Sequence, residues 1–129
     1  MSGMAALRSP RLQAIFGADL DNVTAEHIRF IVENEVTEDF DLDFKSELYG
    51  SSDKAKHDLA TDVAALASTA GGVVVLGVTE DEQARATAAP GVTLSDAETS
   101  RMRQIIASKV APMPQFDILK RPRFDAASF

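Results

Sequence analysis

The 129-residue chain has no cysteine and no tryptophan, and only one tyrosine and two histidines. The absence of cysteine excludes disulfides and thiolate metal sites, and makes a reducing, cytoplasmic setting the expectation. His27 and His57 fall on separate predicted helices with neither a zinc nor a triad spacing, so both are read as surface residues. Long apolar runs are missing too: the longest, residues 71–78, is far short of the about 20 residues that a membrane-spanning helix needs. Arg8 and Arg11 interrupt the only N-terminal apolar stretch, which argues against a signal peptide. There is no Walker loop, nucleophile elbow or dinucleotide fingerprint.

Excess positive charge is also missing. The net charge is −7, which argues against nonspecific duplex binding, since that depends on Lys and Arg neutralising phosphates. The charge is unevenly spread. Residues 17–62 hold 13 acids and four bases, whereas residues 99–129 hold two acids and six bases, namely Arg101, Arg103, Lys109, Lys120, Arg121 and Arg123. One region is therefore suited to a cation and the other to phosphate.

What is present reads as one small domain, with 45% apolar and 26% charged residues. Ser9-Pro10 supplies an N-cap and an N1 proline for a short helix ending at Gly17. A second helix starts after Thr24, with Ile28, Ile31 and Val32 on one stripe. Between residues 40 and 45 the period changes to two, which predicts a strand with Phe40, Leu42 and Phe44 inside. Asp53 is placed to cap a third helix with Leu59, Val63 and Leu66 on its apolar face and Gly71 as a left-handed C-cap. The run Val73-Val74-Val75-Leu76 predicts a central strand covered on both faces. A short strand is expected around residues 85–87. Ser95 through Glu98 open a helix with Met102, Ile105, Ile106 and Val110 on one side, and residues 115–119 form a plausible last strand.

Two segments carry chemistry. A strand over residues 40–45, continued to Glu47, would set Asp41, Asp43, Lys45 and Glu47 on one face, where the like charges repel. Such carboxylates suit a hard divalent ion such as magnesium or manganese, with Lys45 steadying a phosphate; a solvated edge-strand face is the plainer reading. In the second segment, Ser68-Thr69-Ala70-Gly71-Gly72, two glycines permit close backbone approach and the hydroxyls could donate to a phosphate. A helix end followed by a tight turn explains the same residues.

Taken together, residues 38–45, 62–72 and 73–78 resemble the Schlafen Alba-like domain family. Glu38 and Asp43 match its two acids, Phe44-Lys45 follows them, Asp62 matches an acid in the helix, and Gly71-Gly72 and Gly77-Val78 match directly. Ser68 stands where asparagine is usual, Asp43 where glutamate is usual, and Thr79 where a third acid is expected, with Glu80 and Asp81 as substitutes. The resemblance spans roughly residues 7–119, its motifs residues 38–78, and the first helices look like those of actinobacterial members. It implies an α+β fold, a small mixed sheet covered by helices, in a bacterial or phage protein. The expected layout is a single domain over 1–129: a helical part about 7–36, a core about 37–119 and a basic tail 120–129, as the N-terminal part of a longer protein.

The function implied is divided. Some members are metal-dependent RNA endonucleases, for which Glu38, Asp43 and Asp81 would hold magnesium or manganese and Lys45 would counter charge in the transition state. Others are ATP-binding or DNA-binding regulators, for which Lys45, Ser68, Thr69, Gly71 and Gly72 would contact phosphates. With Thr79 in place of an acid, the sequence favours a nucleotide- or nucleic-acid-binding regulatory domain over the nuclease. A homodimerising interaction domain with no ligand is the third class.

Overall fold

The computed structural model describes residues 9–68 and 71–112, together with Pro114, Phe116 and Ile118. The element order is α1 (Pro10–Phe16), a 3-10 turn (Leu20–Asn22), α2 (Ala25–Glu33), β1 (Leu42–Lys45), α3 (Asp53–Ala67), β2 (Val73–Leu76), β3 (Thr79–Glu80), β4 (Ala86–Ala88) and α4 (Asp96–Lys109). The fold is α+β. Its strands form two small sheets: β1 pairs with β2 in parallel, Leu42 opposite Val73 and Lys45 opposite Leu76, while β3 and β4 form an antiparallel hairpin.

The signals of α1 and α4 act where the sequence places them, and the cap of α3 falls one residue before the expected Asp53. The Ser9 hydroxyl accepts the Leu12 N–H, and Gly17 ends α1 at φ +80°, a conformation that favours glycine. Ser95 accepts the Glu98 N–H at the start of α4. For α3 the cap is Ser52, whose hydroxyl takes the Ala55 N–H, and Asp53 is the first helical residue. That helix stops at Ala67; Gly71 takes the expected left-handed conformation three residues beyond the Ser68 cap, with its N–H on the Leu66 carbonyl at 3.2 Å.

Two apolar clusters flank the parallel pair. Leu12, Phe16, Ile28, Ile31, Leu42, Phe44, Val75 and Val78 belong to the first; Tyr49, Leu59, Met102, Ile105, Ile106 and Val110 belong to the second. Val73 packs against the first cluster and Leu76 against the second, so β2 is covered on both faces, though only Val75 in it is fully buried. Among the described residues no strand pairs with its other edge. The strand expected over residues 115–119 falls largely outside the described residues; Phe116 and Ile118 pack against the second cluster. No helix among the described residues is long and apolar enough to cross a membrane.

The alternation into β1 is corrected at one position. Leu42 and Phe44 are buried as expected, but Phe40 is 59% exposed and Asp41 is buried. The strand begins only at Leu42, because Asp39 and Leu42 exchange N–H···O bonds of 3.0 and 3.2 Å. Phe40 and Asp41 are thus the tip of a tight turn, where the two-residue period of a strand does not apply. Glu47 lies past the end of β1, so the four charges expected on one face reduce to Asp43 and Lys45.

Candidate functional site

The turn before β1 brings the two family acids together. With Asp39 opposite Leu42, the next residues to face each other are Glu38 and Asp43, and cross-strand neighbours share a face. Their carboxyls are close enough for Glu38 to disfavour the charge on Asp43. Glu38 also has a structural duty: its Oε2 accepts the Phe44 N–H at 2.7 Å. That N–H points away from β2, since the backbone groups turned towards β2 are those of alternate residues such as Asp41 and Lys45, whose carbonyls accept the Val73 and Gly77 N–H groups. The Glu38 carboxylate therefore closes an edge donor that would otherwise want solvent.

Lys45, two residues along β1 from Asp43, joins the same face. Its Nζ is 3.1 Å from Asp43 Oδ2 and 3.7 Å from Asp62 Oδ2 on α3. The Tyr49 hydroxyl donates to that Asp62 oxygen at 2.5 Å. The Tyr49–Gly50 backbone is tied to α4 by Arg101, which donates to the Tyr49 and Gly50 carbonyls at 2.6 and 2.8 Å and pairs with Glu98. The electrostatics follow from this crowding. Burial, together with the neighbouring Glu38 carboxyl, pushes the Asp43 carboxyl up to about 6, against the pull of Lys45. Burial opposes the charge on Lys45, but Asp43, Asp62 and Glu38 outweigh it and hold the ammonium above its ordinary range. Burial and the neighbouring Asp62 carboxylate raise the Tyr49 phenol.

Asp81 is placed differently. It sits in the β3–β4 hairpin, where its carboxylate takes the Gln83 and Arg85 N–H groups at 2.9 and 3.0 Å and the Arg85 Nε at 2.8 Å. Those bonds hold its carboxyl below the usual range. Glu80 is exposed on β3. Among the described residues no group of three or more histidine or acidic side chains is placed to hold a metal ion. The described residues thus make a close pair of carboxyls beside a lysine, and do not fit a three-acid metal centre.

The glycine segment serves packing. A side chain at Gly72 would begin 2.6 Å from both the Asp41 carbonyl oxygen and Leu66 Cδ2, so its absence lets α3 turn directly into β2 against the Phe40–Asp41 tip. The Ser68 hydroxyl donates to the Ala64 carbonyl at 2.8 Å, and Thr69 lies outside the described residues. Of the six basic residues assigned to a phosphate partner, Arg101 is engaged within the fold, the Arg103 guanidinium lies 5.8 Å from the centre of the Phe116 ring, and Lys109 sits in the last turn of α4. Lys120, Arg121 and Arg123 lie outside the described residues.

For four residues that shape this region the sequence reading differs or is silent: it takes Phe40 as core, Asp62 as a family match without a role and Arg11 only as a break in an apolar stretch, and gives Tyr49 no role. Arg11 on α1 pairs with Asp39 at 3.0 Å and with the buried Asp41 at 3.2 Å. Its partners are some thirty positions away in the chain, so no local spacing announces them; the single tyrosine, flanking the acidic strand, was the one available signal.

No curated protein and no solved structure matches the chain. A family model does, over residues 38–123, and its description is Schlafen, AlbA_2. That span covers well over half of the 129 residues and contains the Glu38–Asp43 pair, Lys45, Asp62 and both glycine segments, and the chain belongs to the Schlafen/AlbA_2 family.

Proposed function

We propose that this domain binds the phosphates of a nucleotide or nucleic acid in a regulatory role and leaves them uncut. The observation that carries the reading is the setting of Lys45: a partly exposed ammonium shared between Asp43 and Asp62, next to the Glu38–Asp43 pair. Negative groups outnumber positive ones there, so a bare phosphate is repelled. A phosphate that arrives with its own divalent ion answers both signs, the oxygens meeting Lys45 and the ion meeting the carboxyls. Magnesium-bearing ATP is the simplest ligand of that kind, and the phosphodiester of an RNA or DNA strand with its counter-ion is the larger one. Asp81, the third acid a hydrolytic centre would call on, is already held by Arg85 and two backbone donors.

The test is the thermal stability of the domain with Mg·ATP, with ATP in EDTA, and with magnesium alone. A ligand at 100 times its Kd stabilises by about 2.7 kcal/mol. Mg·ATP or an RNA oligomer with magnesium should raise Tm, ATP in EDTA should not, and Lys45→Ala should erase the shift. No shift with any ligand overturns the reading. A second reading, the metal-dependent RNA endonuclease, draws support from the close carboxyl pair beside a lysine. It predicts that the wild-type domain cuts RNA with manganese and that Glu38→Gln with Asp43→Asn abolishes cutting while RNA is still bound.

A further inference from the structure

Phe40 is the most exposed large apolar side chain among the described residues, and it occupies a turn tip where a polar residue or glycine is the usual choice. The turn is not slack. Its two ends exchange backbone hydrogen bonds, Asp39 Oδ1 accepts the Phe40 N–H at 2.7 Å, and the Asp41 carbonyl accepts the Val73 N–H at 2.9 Å. Arg11 lies 5.5 Å from the centre of the Phe40 ring while pairing with both Asp39 and Asp41. One arginine thus engages the turn's two carboxylates and backs its ring. What the tip presents outward is a held aromatic surface.

The same turn carries the acid pair. Phe40 is two residues from Glu38, so the reach of the chain keeps their Cα atoms within about 7 Å of each other. We propose that Phe40 is a stacking platform for an unpaired nucleobase whose phosphate is held at the neighbouring Lys45 site. The proposal rests on the phosphate-binding reading and adds the class of ligand: one with a free base, either a nucleotide or a single strand, as opposed to a duplex whose bases are already stacked. Stacking on an aromatic side chain is sequence-tolerant, because every base has a π-face. Phe30, half-exposed on α2, has no arginine over its ring among the contacts described and serves as the internal control.

Because the chain has no tryptophan, Phe40→Trp creates a single fluorescent reporter at the tip. Its emission should be quenched on titration with Mg·ATP or with an oligouridylate in magnesium, and left unchanged by Mg·tripolyphosphate, which offers phosphate without a base. If only the oligouridylate quenches, the source is a strand; if ATP does, a nucleotide suffices. Phe40→Ala should weaken the base-bearing ligand by about tenfold or more without altering tripolyphosphate binding or Tm, and Phe30→Ala should change nothing. If Phe40→Ala binds ATP and RNA as tightly as wild type while Lys45→Ala does not, the stacking proposal fails and the phosphate reading stands. If Phe40→Ala loses binding and Lys45→Ala does not, the phosphate reading fails instead. A Phe40→Trp signal that moves with none of these ligands also overturns the proposal and leaves the exposed ring to an apolar protein partner.

Discussion

In the turn that leads into β1, Asp43 faces another carboxyl and a lysine, and burial holds its proton until about pH 6. In the β3–β4 hairpin, Asp81 faces two backbone N–H groups and an arginine, and it keeps its charge well into acid. The two residues are of one type; Asp43 stands at an acidic position of the family motif, and Asp81 is a substitute for the third acid expected at Thr79. They are displaced in opposite directions because burial and a neighbouring carboxyl disfavour the charge on Asp43, whereas three N–H bonds favour the charge on Asp81. A buried carboxyl beside another carboxyl is a place where a cation or a proton is wanted; a carboxyl that accepts three N–H bonds from its own hairpin is a fastening. By this measure the proposed function belongs to the β1 turn, and the β3–β4 hairpin is proposed as a structural region.

The comparison breaks most visibly if the support behind the β1 turn is removed. Phe44 is buried on the core side of β1, its N–H on Glu38 and its ring in the first cluster. Phe44→Ala should cost about 3–5 kcal/mol, read as a fall in the midpoint of urea unfolding with an unchanged slope. A loss below about 1 kcal/mol would mean that β1 is not anchored as described, and that the Glu38–Asp43 register has no fixed base.

The same turn shows how far the sequence was legible. Alternation identified Leu42 and Phe44 as core because both lie within the paired strand, where the period of two is a geometric necessity. It failed at Phe40 because a turn tip two residues earlier obeys no such period, and nothing local marks where pairing starts. The acid pair was accessible through its spacing within the family motif, since Glu38 and Asp43 face each other across a turn of neighbouring residues. The lysine's second partner, Asp62, and the Tyr49 hydroxyl behind it depend on how α3 packs over the sheet, which is a tertiary fact. The bonding of Asp81 within its hairpin is local and in principle readable, because an aspartate commonly accepts the N–H two residues on in a turn.

A smaller effect sharpens the contrast by charge alone. Asp43 binds its proton more tightly in the folded chain than in the unfolded one, from an ordinary 3.8 to about 6. The native state therefore gains relative stability from this group at low pH and loses it as pH rises through about 4 to 6. Asp43→Asn should remove that loss, so that at pH 7 the variant is as stable as wild type or more so, by about 1 kcal/mol once partial exposure is allowed for. At pH 4 the gap should close. If Asp43→Asn is instead clearly less stable at pH 7, the carboxylate is a net support, and the β1 turn is built like the other hairpin.

Asp81 should give the smallest change and the opposite sign. Its carboxyl is lowered by the backbone bond from Arg85 first and the Arg85 side chain after it, so the folded state favours the ionised form. The stability it contributes is present above the unfolded value and disappears as pH falls through the folded one. Asp81→Asn keeps a side-chain oxygen for the Gln83 and Arg85 N–H groups but loses the ion pair, which is exposed and worth little. A slight fall in Tm at pH 7 is expected, with no fall at pH 3, and the faster amide exchange should be confined to residues 79–88. Binding of Mg·ATP or RNA should be untouched. A variant that keeps its stability but loses ligand, or loses RNA cutting if the wild type cuts, would place Asp81 with Glu38 and Asp43 after all, and the division between a chemical turn and a structural hairpin would be wrong.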